Sequence, residues 1–518
     1  MKKKIKLLNV QPNNFLAMKK IIIISALAFT KLFSQTGYEV VSLGSNVNSS
    51  LYELAPYITP DGKKLFFVRG DDPQNTLSPQ TPNQDIWFAK YAGNGNWDKA
   101  QHLGFPFNTS RYNSIIGQSS DGNTRYIKGY YSKGENIKNG FSVSYLKADG
   151  WSDPKGFDVP KYAKMQKSKT ISNCISASNN ILVMSFGEEE GKDIHSLYVS
   201  ILKDGEWSKP LKLGAKINSG HDEGTPFLAA DNVTLYFSSD RPGGYGSSDI
   251  YMSKRLDDTW QNWTEPVNMG PQINSSAWDA YFTIPASGDY FYMIRNGDLV
   301  KIKAKEEQKP NPVVLITGKV LNSKTNDPIG TAINYFDLAT GNELGIASSN
   351  PKTGEFTIIL PYGKNYSFKA TAQGYYSVTE NLDLSAVSSY KEISKNLLLS
   401  PIETGQVIRI NNIFFETAKS VLKQESFFEL DNLAKLLTDN PSMEIFIAGH
   451  TDNVGNDEYN NKLSKERAAA VVTYLTGKNI AASRLTSDGF GKAKPVADNT
   501  SEDGKALNRR VEFTINKK

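Results

Sequence analysis

The chain has 518 residues, with 59 lysines and arginines against 54 aspartates and glutamates and a formal net charge of +5. This length excludes a single hydrophobic core, and about three domains of ~150 residues each are expected. The 40 glycines and 25 tyrosines are typical of many short strands joined by turns.

A short apolar segment near the N-terminus predicts a secretory signal. Residues 21–29 are apolar and follow Met18 and two lysines, and this run is too short to span a bilayer. We expect cleavage after Ser34, so that residues 1–34 are removed, with Met18 as an alternative start. No cysteine lies near this position, which disfavours a lipid anchor. No other segment approaches ~18 consecutive apolar residues, so we expect no transmembrane helix in the mature chain.

The signal changes the charge balance. It contains seven lysines and no acid, which leaves 52 basic and 54 acidic residues in the mature chain, a net charge of −2. The basic character therefore belongs to the removed segment, and a nucleic-acid partner is not expected. The single cysteine, Cys174, has no partner for an internal disulfide.

Residues 35–303 repeat with a period of about 50 to 60 residues. One marker is a tryptophan after a polar turn, at Trp97, Trp151, Trp207 and Trp263. A second marker is a hairpin turn between apolar runs, at Asp61-Gly62, Asp121-Gly122, Asn179-Asn180, Asp231-Asn232 and Ser287-Gly288. Residues of this kind accept the positive φ angles of tight hairpins. We expect the turn aspartates to cap their own backbone and the aromatic residues to form the core.

Five turns but only four tryptophans indicate a ring of sheets. The last repeat ends near residue 303 without its tryptophan-bearing strand, and the strand at residues 38–41 has no repeat ahead of it. A ring in which this first strand completes the last sheet accounts for both and leaves no exposed edge. We predict an all-β propeller of five blades, with six as the alternative. Residues 238–246, ahead of Asp249-Ile250-Tyr251, resemble WD-type repeats of TolB-like β-propellers.

A charged, proline-bearing linker is predicted at residues 304–312, followed by a small β-sandwich at 313–401. The motifs are Gly318-Lys319-Val320, Asp327-Pro328-Ile329, Gly354-x-Phe356 and Gly374-Tyr375. They resemble the carboxypeptidase-regulatory-like domain, a name that carries no activity. No zinc ligands are evident, and we expect a spacer or a secondary binding surface.

The most informative part of the sequence contains an aspartate in a loop and an arginine in the helix that follows. Asp452 follows an apolar strand at residues 443–448, and Arg467 lies fifteen residues on, in a helix predicted over 457–478. The apolar stripe of that helix is formed by Leu463, Ala470, Val471 and Tyr474. Arg467 falls in this stripe, where a charge is costly unless it is paired. The two groups can hold a zwitterion, or Asp452 can cap the next segment and pair with Arg467.

Residues 406–518 resemble the OmpA-like peptidoglycan-binding domain, an α/β (α+β) module. The matching motifs are Ile413-x-Phe415, Asn440-Pro441, the run from Gly449 to Ala468, Arg484-Leu485, Gly489-x-Gly491, Pro495 and Asn508 to Phe513. The resemblance implies that Asp452 and Arg467 grip the free end of diaminopimelate in the peptide stem. Thr451 and Asn460 belong to the same run, and Arg510 is either a further ligand residue or a structural one.

Little in the sequence indicates catalysis. The four histidines, His102, His195, His221 and His450, show no metal-binding spacing, and no nucleophile elbow or phosphate-binding glycine loop occurs. We therefore expect neither an enzyme nor a cofactor or metal site. The alternative is a propeller-borne glycan- or peptide-processing enzyme that uses two carboxylates ~5 to 9 Å apart. A chaperone-like scaffold is a third possibility.

The predicted layout is a multidomain tether in the periplasm, associated with the outer membrane and the cell wall. It resembles PorE-like proteins of Bacteroidota, which link type IX secretion components, including PorP-like barrels, to peptidoglycan. Those proteins carry a tetratricopeptide region and a lipid-modified cysteine, and this chain has neither. The expected partners are peptidoglycan and, through the propeller, an outer-membrane or periplasmic protein, in type IX secretion or in general envelope attachment.

Overall fold

A computed structural model describes residues 39–110, 112–192, 194–377 and 379–518. The predicted signal at residues 1–34 lies outside the described residues. Two compact units are present: the first runs from residue 39 to 315 with 359–361 and 388–392, and the second holds the remaining described residues. Within these ranges, none of the helices combines the length and apolar character needed to cross a membrane.

The first unit contains five antiparallel sheets between described residues 40 and 303. After β1 (Val40–Ser42), the first sheet comprises β2 (Glu53–Ile58), β3 (Lys64–Gly70), β4 (Gln84–Gly93), β5 (Asn96–Trp97) and β6 (Gln101–His102). The second comprises β7 (Ile115–Gln118), β8 (Thr124–Ser132), β9 (Glu135–Lys147), β10 (Gly150–Trp151) and β11 (Lys155–Phe157), and the short helix α1 (Tyr162–Met165) follows it.

The third sheet comprises β12 (Ser172–Ile175), β13 (Ile181–Phe186), β14 (Ser196–Lys203), β15 (Glu206–Trp207) and β16 (Leu211–Lys212). The fourth comprises β17 (Glu223–Leu228), β18 (Thr234–Ser239), β19 (Asp249–Lys254) and β20 (Val267–Asn268). The fifth comprises β21 (Tyr290–Arg295) and β22 (Asp298–Lys303), and β1 completes it.

The first strand of the chain pairs with the last strand of the repeat region. Val40 lies opposite Ile302 and Ser42 opposite Val300 in the antiparallel ladder between β1 and β22. The predicted completion of the last sheet by an N-terminal strand is thus observed, slightly later in the chain than residues 38–41. This pairing covers the edge that β22 would otherwise expose.

Apolar clusters join each sheet of the first unit to the next. One representative pair from each cluster is Tyr57 with Ile127, Tyr126 with Met184, Val183 with Leu235, Tyr236 with Phe291 and Leu65 with Leu299. These pairs link the sheets in the order one-two, two-three, three-four, four-five and five-one. The contacts therefore return from the fifth sheet to the first, and each interface buries apolar surface.

A cavity of about 120 Å³ lies among these sheets. It is lined by Tyr57, Ile116, Cys174 and Phe227 of the first four sheets, and by Phe282, whose ring packs against Phe291 of the fifth. Four sheets thus line one shared interior space, and the fifth sheet contacts its lining through Phe291.

The turn aspartates cap their own backbone, as predicted. Oδ1 of Asp61 accepts a hydrogen bond from the backbone N–H of Lys63 at 3.0 Å. Oδ1 of Asp121 accepts one from Asn123 at 2.8 Å. These side chains therefore stabilise tight turns.

Residues 313–401 form two further sheets. Their strands are β23 (Val313–Asn322), β24 (Ala332–Asp337), β25 (Glu343–Ser348), β26 (Glu355–Pro361), β27 (Asn365–Thr371), β28 (Tyr375–Tyr376), β29 (Thr379–Asp383), β30 (Lys391–Ser394) and β31 (Leu397–Pro401). One sheet has the order β26-β23-β31-β28, with β30 also paired to β23, and the other has the order β25-β24-β27-β29. In β24 and β26 alternate residues are buried. Each sheet thus buries one face, as the predicted small sandwich requires.

The C-terminal domain has a four-stranded sheet of order β32-β35-β33-β34, in which only β33 and β34 run parallel. Its elements are β32 (Val407–Ile410), α2 (Phe427–Asp439), β33 (Glu444–Gly449), α3 (Asp457–Gly477), β34 (Leu485–Gly489), α4 (Glu502–Asn508) and β35 (Val511–Lys517). Leucines of α2, Val471 and Leu475 of α3, and apolar residues of the sheet form one buried core. The mixture of helices and strands agrees with the predicted α/β class.

The buried face of α3 differs from the predicted stripe. Its buried residues are Asn460, Leu463, Ser464, Ala468, Val471 and Leu475, whereas Ala470 and Tyr474 are only partly buried. A side chain on Gly449 would overlap the carbonyl oxygen of Ser464, and one on Gly489 would overlap the backbone of Lys465. Because two glycines let the helix approach the sheet at its small residues, Ser464 and Ala468 face inward. Arg467 lies at the border of this face and not in its middle.

Candidate functional site

The loop between β33 and α3 is fixed at both sides. The backbone N–H of His450 donates to the carbonyl oxygen of Arg510 at 3.0 Å, and that of Thr451 donates to Gly491 at 2.9 Å. Oγ1 of Thr451 donates to the carbonyl oxygen of Asp452 at 3.0 Å. These bonds hold Asp452 in a defined position at the end of the sheet.

Asn460, a predicted site residue, shapes the same loop. It is buried, and its Nδ2 donates to the carbonyl oxygen of Val454 at 3.0 Å. Oδ1 of Asn456 accepts from the backbone N–H of Tyr459 at 2.8 Å and caps α3. The side chains of Thr451 and Asn460 thus bind backbone and support Asp452.

Asp452 is paired with Arg509, which is not among the predicted site residues. Its Oδ1 accepts from the backbone N–H of Val454 at 3.0 Å, so the predicted capping of the next segment is observed. Its Oδ2 lies 2.6 Å from Nη1 of Arg509. The residue is 8% exposed, and each oxygen of its carboxylate accepts one of these bonds.

Arg467 makes other contacts. Its Nε donates to the carbonyl oxygen of Lys419 at 3.1 Å, and its guanidinium lies 4.9 Å from the ring centroid of Phe415. Between the described side chains of Asp452 and Arg467 there is no ion pair, so the predicted alternative of a direct structural pair is wrong. The backbone bond and the ring fix the arginine and leave both terminal nitrogens available.

The charge of Arg467 is only partly compensated. Burial lowers the pKa of this guanidinium, and the positive charge of Arg509 lowers it further, whereas Asp452 acts in the opposite direction. An arginine remains protonated in proteins. The site therefore presents a desolvated cation close to, but not bonded to, an anion.

Arg510 is buried beside the final strand and bonded to an acid. Its Nε lies 2.6 Å from Oε1 of Glu512, and Nε2 of His450 lies 3.4 Å from Oε2 of the same carboxylate. Burial alone would raise the pKa of Glu512, but His450 and Arg510 together lower it to about 2. One part of Arg510 is thus structural, while its Nη1 has no hydrogen-bond partner.

These residues border a single cavity of about 600 Å³, here called the C-terminal cleft. Arg467, Arg509, Arg510 and His450 line it together with Phe415. Its volume lies within the range of about 300 to 1,000 Å³ that is common for small-ligand sites. The structure thus brings Arg467 and Arg510 to one cleft, and Asp452 reaches it through its partner Arg509.

The described residues offer little for other chemistry. Among them, no group of three or more histidines, cysteines, aspartates and glutamates could hold a metal ion. Cys174 is buried, and burial raises the pKa of its thiol to about 12, so it is a poor nucleophile. The lining of the C-terminal cleft carries one carboxylate, that of Glu380, and five basic side chains, an arrangement suited to binding an acidic group.

Comparison with known proteins identifies this region. Residues 414–509 match the OmpA family. The chain carries a C-terminal OmpA domain. Outer membrane porin F of Pseudomonas fluorescens is 43% identical over 112 residues, which are 21% of this chain and 34% of the porin. Outer membrane protein A of Bordetella avium is 42% identical over 111 residues, 21% of this chain and 57% of that protein.

A similar solved structure is the peptidoglycan-associated lipoprotein from Burkholderia pseudomallei, with 28% identity, a TM-score of 0.19, and coverage of 21% of this chain and 89% of that one. The chain spans about a third of the length of porin F and rather more than half of outer membrane protein A. These likenesses concern the OmpA domain.

Arg509 and Arg510 have different contacts although they are adjacent. Arg509 caps the C-terminus of α4 and contacts Asp452, whereas Arg510 immediately precedes β35 and contacts Glu512. The two adjacent arginines therefore have different roles.

Proposed function

We propose that the chain is a non-enzymatic envelope tether that binds peptidoglycan non-covalently through the diaminopimelate of the peptide stem. The observation that carries this proposal is that Asp452 and Arg467 stand close together without pairing. Arg467 lines a cleft of about 600 Å³, and Asp452 lies beside it, bonded to the lining residue Arg509. The OmpA domain and its likeness to a peptidoglycan-associated lipoprotein point in the same direction.

The binding mode follows from the contacts of the two residues. The carboxylate of Asp452 accepts hydrogen bonds from the ligand ammonium with the lone pairs that Arg509 and Val454 do not use. Nε of Arg467 is held by Lys419, so its two terminal nitrogens can meet the ligand carboxylate as a fork. One end of diaminopimelate carries both groups, and the site matches both charges at once.

For residues 39–303 we propose a five-bladed β-propeller of WD-type repeats. Three features support it: apolar clusters that return from the fifth sheet to the first, a cavity shared by the first four sheets, and the pairing of β1 with β22. The two sheets of residues 313–401 support a carboxypeptidase-regulatory-like sandwich that acts as a spacer.

The partner of the propeller is proposed to be an outer-membrane or periplasmic protein, such as a PorP-like barrel. The chain then works in the periplasm of a member of the Bacteroidota, in type IX secretion or in general envelope attachment. Its resemblance to PorE-like proteins supports this assignment. A pull-down from crosslinked cell envelopes, with the full chain as bait, tests this partner. Recovery of cell-wall material without an envelope protein would contradict it.

Sedimentation with purified peptidoglycan tests the binding function. We expect the full chain to sediment and the Asp452→Ala/Arg467→Ala variant to stay in solution. Losing charge-assisted contacts reduces affinity more than tenfold. A matched control is Lys435→Ala/Asp439→Ala, which removes an exposed ion pair from α2 with the same zero net change in charge. Equal sedimentation of the two double variants would reject the site.

A further inference from the structure

A second group of charges lines the C-terminal cleft. Arg409 on β32 is the register partner of Glu512 on β35. Directly opposed residues of antiparallel strands have Cβ atoms about 5 Å apart. Arg510 immediately precedes β35 and bonds to Glu512, so both arginines are neighbours of this carboxylate. Both arginines line the cleft.

These two arginines have buried N–H groups without acceptors. Nε of Arg409 and Nη1 of Arg510 make no hydrogen bond, and neither ring nitrogen of His450 makes a well-aligned one. Arg510 is 7% exposed and His450 is 3% exposed. Buried donors without acceptors are unfavourable, so the arrangement suits an acidic ligand group that supplies the missing oxygens.

The two guanidinium groups also repel each other. Burial lowers the pKa of Arg409, and the charge of Arg510 lowers it further. Glu512 already bonds to Arg510 and is shared with His450, so it leaves Arg409 without a direct acid partner. An additional anion between the arginines would relieve this repulsion.

The preceding sheet forms the opposite wall of the cleft. Glu380 of β29 lies 2.9 Å from Nζ of Lys395 and accepts a hydrogen bond from Nδ2 of Asn411 at 2.9 Å. Both oxygens of the Glu380 carboxylate are thus bonded within this wall. These residues lie outside the stretch that matches the OmpA family.

Charges in and beside the cleft do not balance. The basic residues are Lys395, Arg409, Arg467, Arg509 and Arg510, and the acidic ones are Glu380, Asp452 and Glu512. Five basic side chains face three carboxylates, an excess of two formal positive charges. A single zwitterionic ligand end is neutral overall and does not compensate them.

We propose that Arg409 and Arg510 bind a second carboxylate of the stem peptide, separate from the end held by Asp452 and Arg467. This inference rests on the proposed function. The cleft then recognises a peptide of two linked acidic residues, and the wall that carries Lys395 limits its orientation. Specificity for stem peptides with a free second carboxylate follows, because an amide in its place supplies no negative charge.

Two synthetic peptides test the inference: L-alanyl-γ-D-glutamyl-diaminopimelate, and the same peptide with the free glutamyl carboxylate converted to an amide. Their affinities for the full chain are measured by calorimetry. We expect Arg409→Gln to reduce the affinity for the acidic peptide about tenfold and to leave the affinity for the amidated peptide nearly unchanged. Arg409 is half-buried, so this substitution keeps the fold, and Lys435→Gln on α2 is an exposed control.

The outcomes separate the two proposals. A loss confined to the acidic peptide supports the second carboxylate site. Equal losses for both peptides, or no loss for either, would overturn it while leaving the first site intact. If Asp452→Ala and Arg467→Ala leave both affinities unchanged, the proposed function fails instead. Absence of binding of either peptide to the unaltered chain would overturn both.

Discussion

Oδ2 of Asp452 lies 2.6 Å from Nη1 of Arg509, whereas Arg467 bonds to the backbone of Lys419. The acid of the cleft is therefore held by one arginine while a second arginine stays free for a ligand. The bonds from Arg509 and from the backbone of Val454 hold Asp452 in position before any ligand arrives. Preorganised groups lose less freedom on binding than mobile ones.

Removing Arg509 tests this positioning role. We expect Arg509→Gln to increase amide exchange in residues 450–456, because the loop loses the ion pair that ties it to the segment after α4. Hydrogen-exchange mass spectrometry measures this. Lys505→Gln, which removes an exposed pair with Glu502, is the control. Unchanged protection in Arg509→Gln would show that backbone bonds alone fix the loop.

Arg467→Lys tests the need for a planar fork. A lysine cannot both donate to the carbonyl of Lys419 and present two parallel N–H groups to a carboxylate. We expect at least a tenfold loss of affinity for a soluble stem peptide, measured by calorimetry. Lys465→Ala on the exposed side of α3 is the control. Wild-type affinity in Arg467→Lys would mean that only a point charge is required.

Gly489→Ala tests the close approach of α3 to the sheet. The added methyl group would overlap the backbone of Lys465, which cannot move independently of the helix. We expect a loss of about 1–3 kcal/mol in unfolding free energy. Gly477→Ala is the matched control, because a methyl group there meets nothing and alanine favours a helix.

Differential scanning calorimetry of the full chain measures the unfolding transition temperatures of the Gly489→Ala and Gly477→Ala variants. Every tryptophan lies between residues 87 and 278, so a heat transition without a fluorescence change belongs to the second unit. Equal transition temperatures for the two glycine variants would contradict the packing described for α3.

We expect the stability of the C-terminal domain to fall at acidic pH because of Glu512. Its pKa is about 2 in the folded chain, below the ordinary value of 4.5. The stabilisation is therefore complete above about pH 4.5 and is lost as the pH falls towards 2. We expect the difference in transition temperature between the unaltered chain and Glu512→Gln to shrink across this window. A difference independent of pH would contradict the ionised pair with Arg510.

Periodicity and motifs in the sequence predicted much of the C-terminal domain. The helix expected over 457–478 is observed as Asp457–Gly477, and the strand before Asp452 is observed as Glu444–Gly449. The rotation of α3 was missed because it depends on two glycines of different strands. Their contact with Ser464 and Lys465 is a tertiary feature that no helical pattern contains.

The composition of the cleft was harder to predict than its central pair. Arg467 was found because a charge near an apolar face is unusual. Arg409 and Lys395 were missed because strand pairing and the preceding sheet bring them to the cleft from distant positions. In the first unit, the mismatch between turns and tryptophans was enough to predict the pairing of β1 with the last sheet.

The most direct test is a crystal of the full chain soaked with meso-diaminopimelate. We expect the ligand to occupy the C-terminal cleft. Its ammonium group should bond to the carboxylate of Asp452, and its carboxylate should bond to both terminal nitrogens of Arg467. An unoccupied cleft, or a ligand bound with Arg467 turned towards solvent, would contradict this expectation.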